Sequence, residues 1–331
     1  MPAKKSKPKS IVIIGTRGFR GRSILKQLET SSKYKNIIAI DYRKPRMTLK
    51  KTKFYKLDLT EALADATLAD ILKTENCDTL IHTAIPVTPP HNESQSHEVI
   101  AIGSYYIFNA CHAAKVRKVV MASTTDTYGA YPNNPNFLTE DMATRGQRQS
   151  RYLKDIVDAE NQAHKFQKKN PKSILTIIRP CTILGPTIQS YKTKYFSRPV
   201  IVTMLGFDPL IQFIHEDDVT GALMKAIDEN HPGVFNLAGD GVIPLSKVIE
   251  ISGKLNLKLT QIGFKSMVQA LWLADISPAP ASHVDFLRYL CIVDNEKIKK
   301  TLGYKPKYST KDALFSFLGA DRLRQLNIAE A

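Results

Sequence analysis

Cysteine, tryptophan and long apolar runs are all scarce in this chain. Its four cysteines, Cys77, Cys111, Cys181 and Cys291, lie far apart. That spacing argues against a disulfide framework and against a thiolate metal site, and it reads as free buried thiols in a reducing, cytoplasmic setting. His82, His112 and His215 stand singly, so no metal is expected. No segment has the ~20 consecutive apolar residues that a membrane span needs. The lysines of Met1 to Ser10 are not followed by the apolar stretch of a secretory signal. Negative charge is also missing at the start: residues 1–56 hold 17 Lys and Arg against only Glu29 and Asp41, whereas the remainder holds 30 basic and 29 acidic residues. The net charge of +16 therefore belongs to the first sixth of the chain. Residues 1–10 read as a disordered basic tail, and without aromatic–basic interleaving or a recognition motif no specific nucleic-acid partner is expected.

What the chain does have is a glycine turn, Gly15-Thr16-Arg17-Gly18-Phe19-Arg20-Gly21, between an apolar run, Ile11 to Ile14, and an amphipathic segment from Ser23 to Leu28. A buried strand that breaks through glycines into a helix makes a phosphate cradle. Gly15 allows the tight turn, Gly18 lets the backbone approach a pyrophosphate, and Gly21 lets helix and strand pack closely, with free N–H groups and the helix dipole aimed at the anion. Asp41 closes the next apolar run, Ile37 to Ile40, where a carboxylate accepts from an adenosine ribose. Strands and helices then alternate: a strand at 53–57 ending at Asp58-Leu59, a helix from Glu61 to Lys73, and a strand at 78–82 turning out through Thr83-Ala84. A long helix follows around Glu98 to Ala114, then a strand at 118–123 ending in Ser123, Thr124 and Thr125. Asp58 serves either an adenine edge or the cap of the next helix. Alternation of this kind predicts an α/β fold, a doubly wound parallel sheet of the Rossmann type.

Ser150 to Lys169 predicts a long polar helix and Ser173 to Arg179 a sixth strand. After Arg179-Pro180 the pattern loosens, with loops over 185–200, a strand near Ile211 to Ile214, a helix from Asp217 to Asp228 and a strand at 234–237. The expected organisation is a dinucleotide-binding domain at 11–180 and a smaller substrate-binding lobe at 181–331 that returns strands to the sheet.

Taken together these residues resemble the extended short-chain dehydrogenase/reductases, the NAD-dependent epimerases/dehydratases. The resemblance runs over nearly the whole chain, from Gly15-x-x-Gly18-x-x-Gly21 through Asp58-Leu59, Leu80-Ile81-His82-Thr83-Ala84, Ser123-Thr124-x-x-x-Tyr128-Gly129, Arg179-Pro180-x-x-Ile183-x-Gly185-Pro186, Phe213-Ile214-His215-x-x-Asp218-Val219 and Phe235-Asn236-Leu237-Ala238-Gly239 to a closing motif, Val293-Asp294-Asn295-Glu296-Lys297 leading to Leu302-Gly303-Tyr304-x-Pro306. It implies a bound nicotinamide dinucleotide touched by Gly15, Arg17, Gly18, Phe19, Arg20, Gly21, Asp41, Asp58, Leu59, Thr83, Ala84 and Pro180. NAD is expected because Asp41 would repel a 2′-phosphate, while Arg17 in the turn keeps NADP in view. The resemblance also implies a small-molecule substrate held under the C-terminal lobe, and it leaves room for a homodimer.

In that family a Tyr and a Lys four residues later share one face of the long helix. The Lys lowers the Tyr pKa for proton exchange with a substrate hydroxyl, and a Ser or Thr holds the same oxygen. Here Tyr152 and Thr124 match, but Ile156 stands in the lysine's place. Lys154 is displaced by about 200° around the helix, and a register pairing Ser150 with Lys154 loses the acid. Ile100 stands where the family usually has Asn. Ile211 stands where nucleotide-sugar members commonly carry Arg, a bidentate diphosphate partner. The expected activity is oxidoreductase or epimerase chemistry on a hydroxyl or keto group of a fairly apolar molecule. The alternative is a non-catalytic dinucleotide-binding protein with a sensing or interaction role, and a nucleotide-sugar epimerase/dehydratase is a further one.

Overall fold

The computed structural model describes residues 10–329. The first half runs β1 (Ile11–Ile14), α1 (Phe19–Thr30), β2 (Ile37–Asp41), β3 (Thr52–Lys56), α2 (Ala64–Thr74), β4 (Thr79–His82), α3 (Glu93–His97), α4 (Gly103–Ala113), β5 (Lys118–Ala122), α5 (Arg151–Lys169) and β6 (Ile174–Pro180). The second half adds β7 (Thr182–Leu184), α6 (Tyr191–Ser197), β8 (Val200–Met204), β9 (Leu210–Ile211), β10 (Phe213–His215), α7 (Glu216–Asp228) and β11 (Gly233–Leu237). It closes with β12 (Ile243–Pro244), α8 (Leu245–Ser252), β13 (Leu255–Leu259), α9 (Gln261–Leu273) and α10 (Thr310–Ala329).

Seven strands pair in the order β11-β6-β5-β4-β1-β2-β3, every pairing parallel. Period-two alternation sends successive residues to opposite faces. Ile11 and Ile13 join Ile24, Leu25 and Leu28 of α1 and Leu223 and Ile227 of α7 in one core. Val12 and Ile14 join Leu68 of α2, Phe108 of α4 and Ile156 of α5 in the other. A strand buried on both faces is apolar throughout, which is why β1 reads Ile-Val-Ile-Ile. Strand order reverses between β1 and β4, so the crevice of an open α/β sheet opens at their C-terminal ends, where Gly15 and Thr83 stand.

The structure departs from the sequence reading at three places. The stretch expected as loop at 185–200 contains α6, started by a reciprocal capping box in which the Ser190 hydroxyl accepts from Thr193 N and Thr193 Oγ1 accepts from Ser190 N. The long fourth helix starts earlier than expected, at Glu93, and passes through a π-helical turn at Glu98–Ile102. The strand expected at 211–214 is two strands: β9 pairs antiparallel with β12, and β10 pairs parallel with β7. Apart from Ser10, which is buried and accepts from Asp78 N and Thr79 N, the basic tail lies outside the described residues.

Beyond β6, a core of Phe196, Phe213, Leu245, Val248, Leu314 and Phe317 joins α6, α8 and α10. A thinner cap is made by the β8–β13 pair, α9 and a 3-10 turn at Ala281–Leu287. Its own core is Met204, Phe264 and Val284. The cap is latched to the loop after β4 by His91 stacked on Trp272 at 3.6 Å, with His91 Nδ1 3.0 Å from Asp275 Oδ1.

Candidate active site

The site is built at the C-terminal edge of the sheet. Gly15 has φ +90°, and a Cβ there would lie 2.5 Å from the Ala84 backbone; at Gly21 it would meet Gly15 O at 2.2 Å. Those two glycines let three backbone segments meet. Gly18 is different, since a Cβ there would touch only Gly15 O at 3.7 Å, so its open side faces the cleft. Thr83 Oγ1 donates to Ile14 O at 2.8 Å. Asp41 accepts from Arg17 N at 2.9 Å, and its burial raises the carboxyl pKa against the pull of that N–H. Arg17 lays its guanidinium over the Tyr42 ring at 4.8 Å and donates to Tyr42 Oη. Gly15, Arg17, Gly18, Asp41, Asp58 and Leu59 line one cleft with Thr83, Ala84, Ile85 and Pro86. Asp58 also accepts from Thr60 N at 3.0 Å, so it serves the turn as well as facing the cleft. The Phe19 side chain packs on the core instead.

Arg20 turns inward from α1. Its Nη1 donates to Ala122 O at 3.0 Å and Ser123 O at 2.8 Å, and its Nη2 donates to Ile85 O. Burial lowers its pKa to about 10. It shares the wall of a second cavity with Thr124, Tyr152 and Pro180. Tyr152 Oη donates to Pro86 O at 2.7 Å. Burial pushes the phenol pKa well up, against the Arg20 charge that pulls it down, so the hydroxyl is protonated at neutral pH. Thr124 caps the short turn that follows β5, accepting from Asp126 N at 3.2 Å.

A third cavity lies under the cap and is walled mainly by apolar side chains such as Ile211, Phe264, Val268 and Phe286. Asp126, Cys181, Thr182, Tyr191 and Lys192 line both it and the Tyr152 cavity. Ile85 and Pro86 are likewise shared between the Tyr152 cavity and the glycine-turn cleft. Three compartments thus stand in series. At the inner junction Asp126 accepts from Tyr191 Oη at 2.9 Å and from Lys192 Nζ at 2.7 Å.

A family model, the NAD dependent epimerase/dehydratase family, matches residues 11–238. The chain belongs to this family. Uncharacterised proteins of Mycobacterium tuberculosis (strain H37Rv) and Mycobacterium bovis are each 26% identical over 313 residues, covering 92% of this chain and 82% of the relative. Among solved structures, MoeE5 in complex with UDP-glucuronic acid and NAD superposes with a TM-score of 0.72 at 20% identity, covering 95% of this chain and 99% of that one. A dTDP-glucose 4,6-dehydratase of Streptomyces venezuelae, DesIV, with NAD and TYD bound gives 0.71 at 18%, covering 96% and 98%. The UDP-glucose 4-epimerase of Thermotoga maritima with UDP-glucose gives 0.70 at 18%, covering 96% and 99%. These likenesses share the fold.

Within this epimerase/dehydratase fold, Glu160 holds the register of α5. It is buried, accepts from Arg179 Nε at 3.1 Å and from Ser123 Oγ, and Arg179 Nη1 reaches Tyr128 Oη at 2.7 Å. Ile156 is fully buried in the core between α5 and the sheet and does not line the cleft. Ser150 is the N-cap of α5, accepting from Leu153 N, and Lys154 is exposed. Ile100 is buried in the same core as Ile156. Ile211 lines the apolar cavity. His82 is buried with Nε2 2.9 Å from Ser104 Oγ and Nδ1 accepting from Ala84 N, and its pKa falls to about 3 through burial and the nearby Arg20. Sequence reasoning passed over Asp126, Tyr191, Lys192 and His283. Asp126 sits inside the quoted Ser123-to-Gly129 motif and was within reach. Tyr191 and Lys192 fall in a stretch without regular periodicity, and His283 adjoins no motif.

Proposed function

We propose that the chain binds NAD along the glycine turn and transfers hydride to or from an uncharged hydroxyl- or keto-bearing, mostly apolar small molecule, with Tyr152 as acid/base and Thr124 on the reacting oxygen. One observation carries this reading: the glycine-turn cleft, the Tyr152 cavity and the apolar cavity share walls. A dinucleotide along the first two would present its nicotinamide to a substrate in the third. The cofactor supplies the hydride; the chain's residues bind, orient and move the proton. Gly18 leaves room for phosphate, Asp41 stands where a ribose hydroxyl would donate, and Tyr152 keeps its proton, which favours reduction of a ketone. Ile211 on the cavity wall supplies no partner for a diphosphate, which argues against a nucleotide sugar.

A second reading, a dinucleotide-binding protein with little catalysis, is favoured by the Tyr152 hydroxyl being committed to Pro86 O and by Ile156 in place of a lysine. NAD titration by calorimetry, together with cofactor turnover on a panel of ketones and secondary alcohols, separates the two. Gly18→Val should weaken NAD at least about tenfold, since a side chain there displaces the backbone's phosphate approach, with little change in melting temperature. Tyr152→Phe should bind NAD normally and lose ketone reduction. Undiminished NAD affinity in Gly18→Val overturns the cofactor site, full activity in Tyr152→Phe removes Tyr152 as the acid, and tight NAD binding without turnover establishes the second reading.

A further inference from the structure

His283 in the cap carries a buried polar atom left without a partner. It is buried, its Nε2 has no hydrogen-bond partner among the described residues, and its Nδ1 stands 3.5 Å from Ser282 Oγ. A buried ring nitrogen left unpaired is destabilising, and native proteins tolerate few such groups without a reason. The surroundings supply one. His283 lines the apolar cavity, and its ring lies edge-on to Tyr191 at 5.2 Å and 6.1 Å from the ring of Tyr152. It therefore marks the place where the cavity meets the proposed acid/base.

The charges there are already spent. Lys192 Nζ is held by Asp126 Oδ1 at 2.7 Å and Thr182 Oγ1 at 3.2 Å, and the second carboxylate oxygen of Asp126 accepts from Tyr191. Arg198, the other charged residue of the lining, is exposed. Burial lowers the His283 pKa to about 4, so the imidazole is neutral at pH 7 and offers one donor and one acceptor without a charge. A ligand bearing a phosphate or carboxylate would have no free buried cation to meet, whereas a single hydroxyl or carbonyl oxygen on an apolar body would leave nothing unpaired.

Resting on the function proposed above, we propose that His283 is a substrate-holding residue: its free Nε2 hydrogen-bonds the oxygen of an uncharged ketone or alcohol whose apolar body fills the cavity under the cap. Selection is then by one neutral hydrogen bond inside an apolar enclosure.

The test uses two matched fluorescent probes with the full chain: Prodan, an uncharged naphthyl ketone, and its deoxo counterpart in which a propyl group replaces the propionyl group. Wild type is expected to bind the ketone about five- to tenfold more tightly than the deoxo probe, the worth of one net hydrogen bond. His283→Phe should bring the ratio to about one while keeping deoxo affinity, and His283→Leu carries the same test if thermal melting shows His283→Phe misfolded. Val268→Trp, which fills the cavity, should abolish both. An unchanged ketone preference in both His283 variants, binding that survives Val268→Trp, or no binding of either probe to wild type overturns the proposal. NAD titration of the same samples keeps the two readings apart: lost NAD binding with retained ketone preference overturns the cofactor site alone, and normal NAD binding without ketone preference overturns the role of His283 alone.

Discussion

The sheet half and the cap spend apolar side chains in opposite ways. All four residues of β1 and all five of β2 are buried, and their neighbours fill two cores, one on each face of the sheet. In the cap, β13 leaves four of its five residues exposed and α9 buries only Phe264, while Leu255, Ile262 and Leu273 are 71%, 80% and 78% exposed. The difference teaches how the site divides its labour. The glycine turn and Arg20's three carbonyl bonds, which the proposed function assigns to the dinucleotide, rest on a double core. The wall proposed to meet the substrate rests on a thin cluster of Met204, Phe264 and Val284, the kind of sparse packing that opens at lower cost than a full core.

The largest effect should come from breaking the sheet half at Glu160. Glu160→Ala would leave the Arg179 guanidinium buried without its carboxylate and is expected to cost about 3 to 5 kcal/mol, read as a lowered urea midpoint. A loss below about 1 kcal/mol would mean that this network does not anchor α5 as its burial implies.

Acid should separate the two regions. His82 in β4 and His283 in the cap are neutral in the folded chain, with pKa values lowered to about 3 and about 4. Unfolded imidazoles take up protons near pH 6.5, so below that pH the unfolded state binds more protons and stability falls as pH drops toward about 4. Between pH 7 and 5 the two together should remove about 2 to 4 kcal/mol. The sole tryptophan, Trp272, lies in the cap, so its fluorescence should change at higher pH than far-ultraviolet circular dichroism. Coincident transitions would show that cap and sheet open as one unit.

The smallest effect should follow Ile262→Lys on the exposed face of α9. Removing an apolar side chain already in water is expected to move stability by no more than about 0.5 kcal/mol. A loss of several times that in thermal melting would show that the face is covered in solution, as a second copy of the chain would do.

The glycine turn, Asp41, the apolar strands and the polar helix with Tyr152 were legible in the chain because each is a local pattern, a turn requiring glycine or a strand buried on both faces. The family resemblance followed from such patterns spread from the glycine turn to Pro306, and the family model matches residues 11–238. The resemblance also set Ile156 and Ile211 against a lysine and an arginine that members of that family commonly carry, a comparison that needs no coordinates. Tertiary structure alone decided what those changes meant. It put Ile156 in the core and Ile211 on a cavity wall, tied Tyr152 to Pro86, and turned Arg20 onto the carbonyls at the end of β5 and in the loop after β4. It also gathered Asp126, Tyr191, Lys192 and His283, which span more than 150 positions of chain, around one junction. Such contacts depend on how strand order and crossovers close distant segments together, and no local propensity records that geometry.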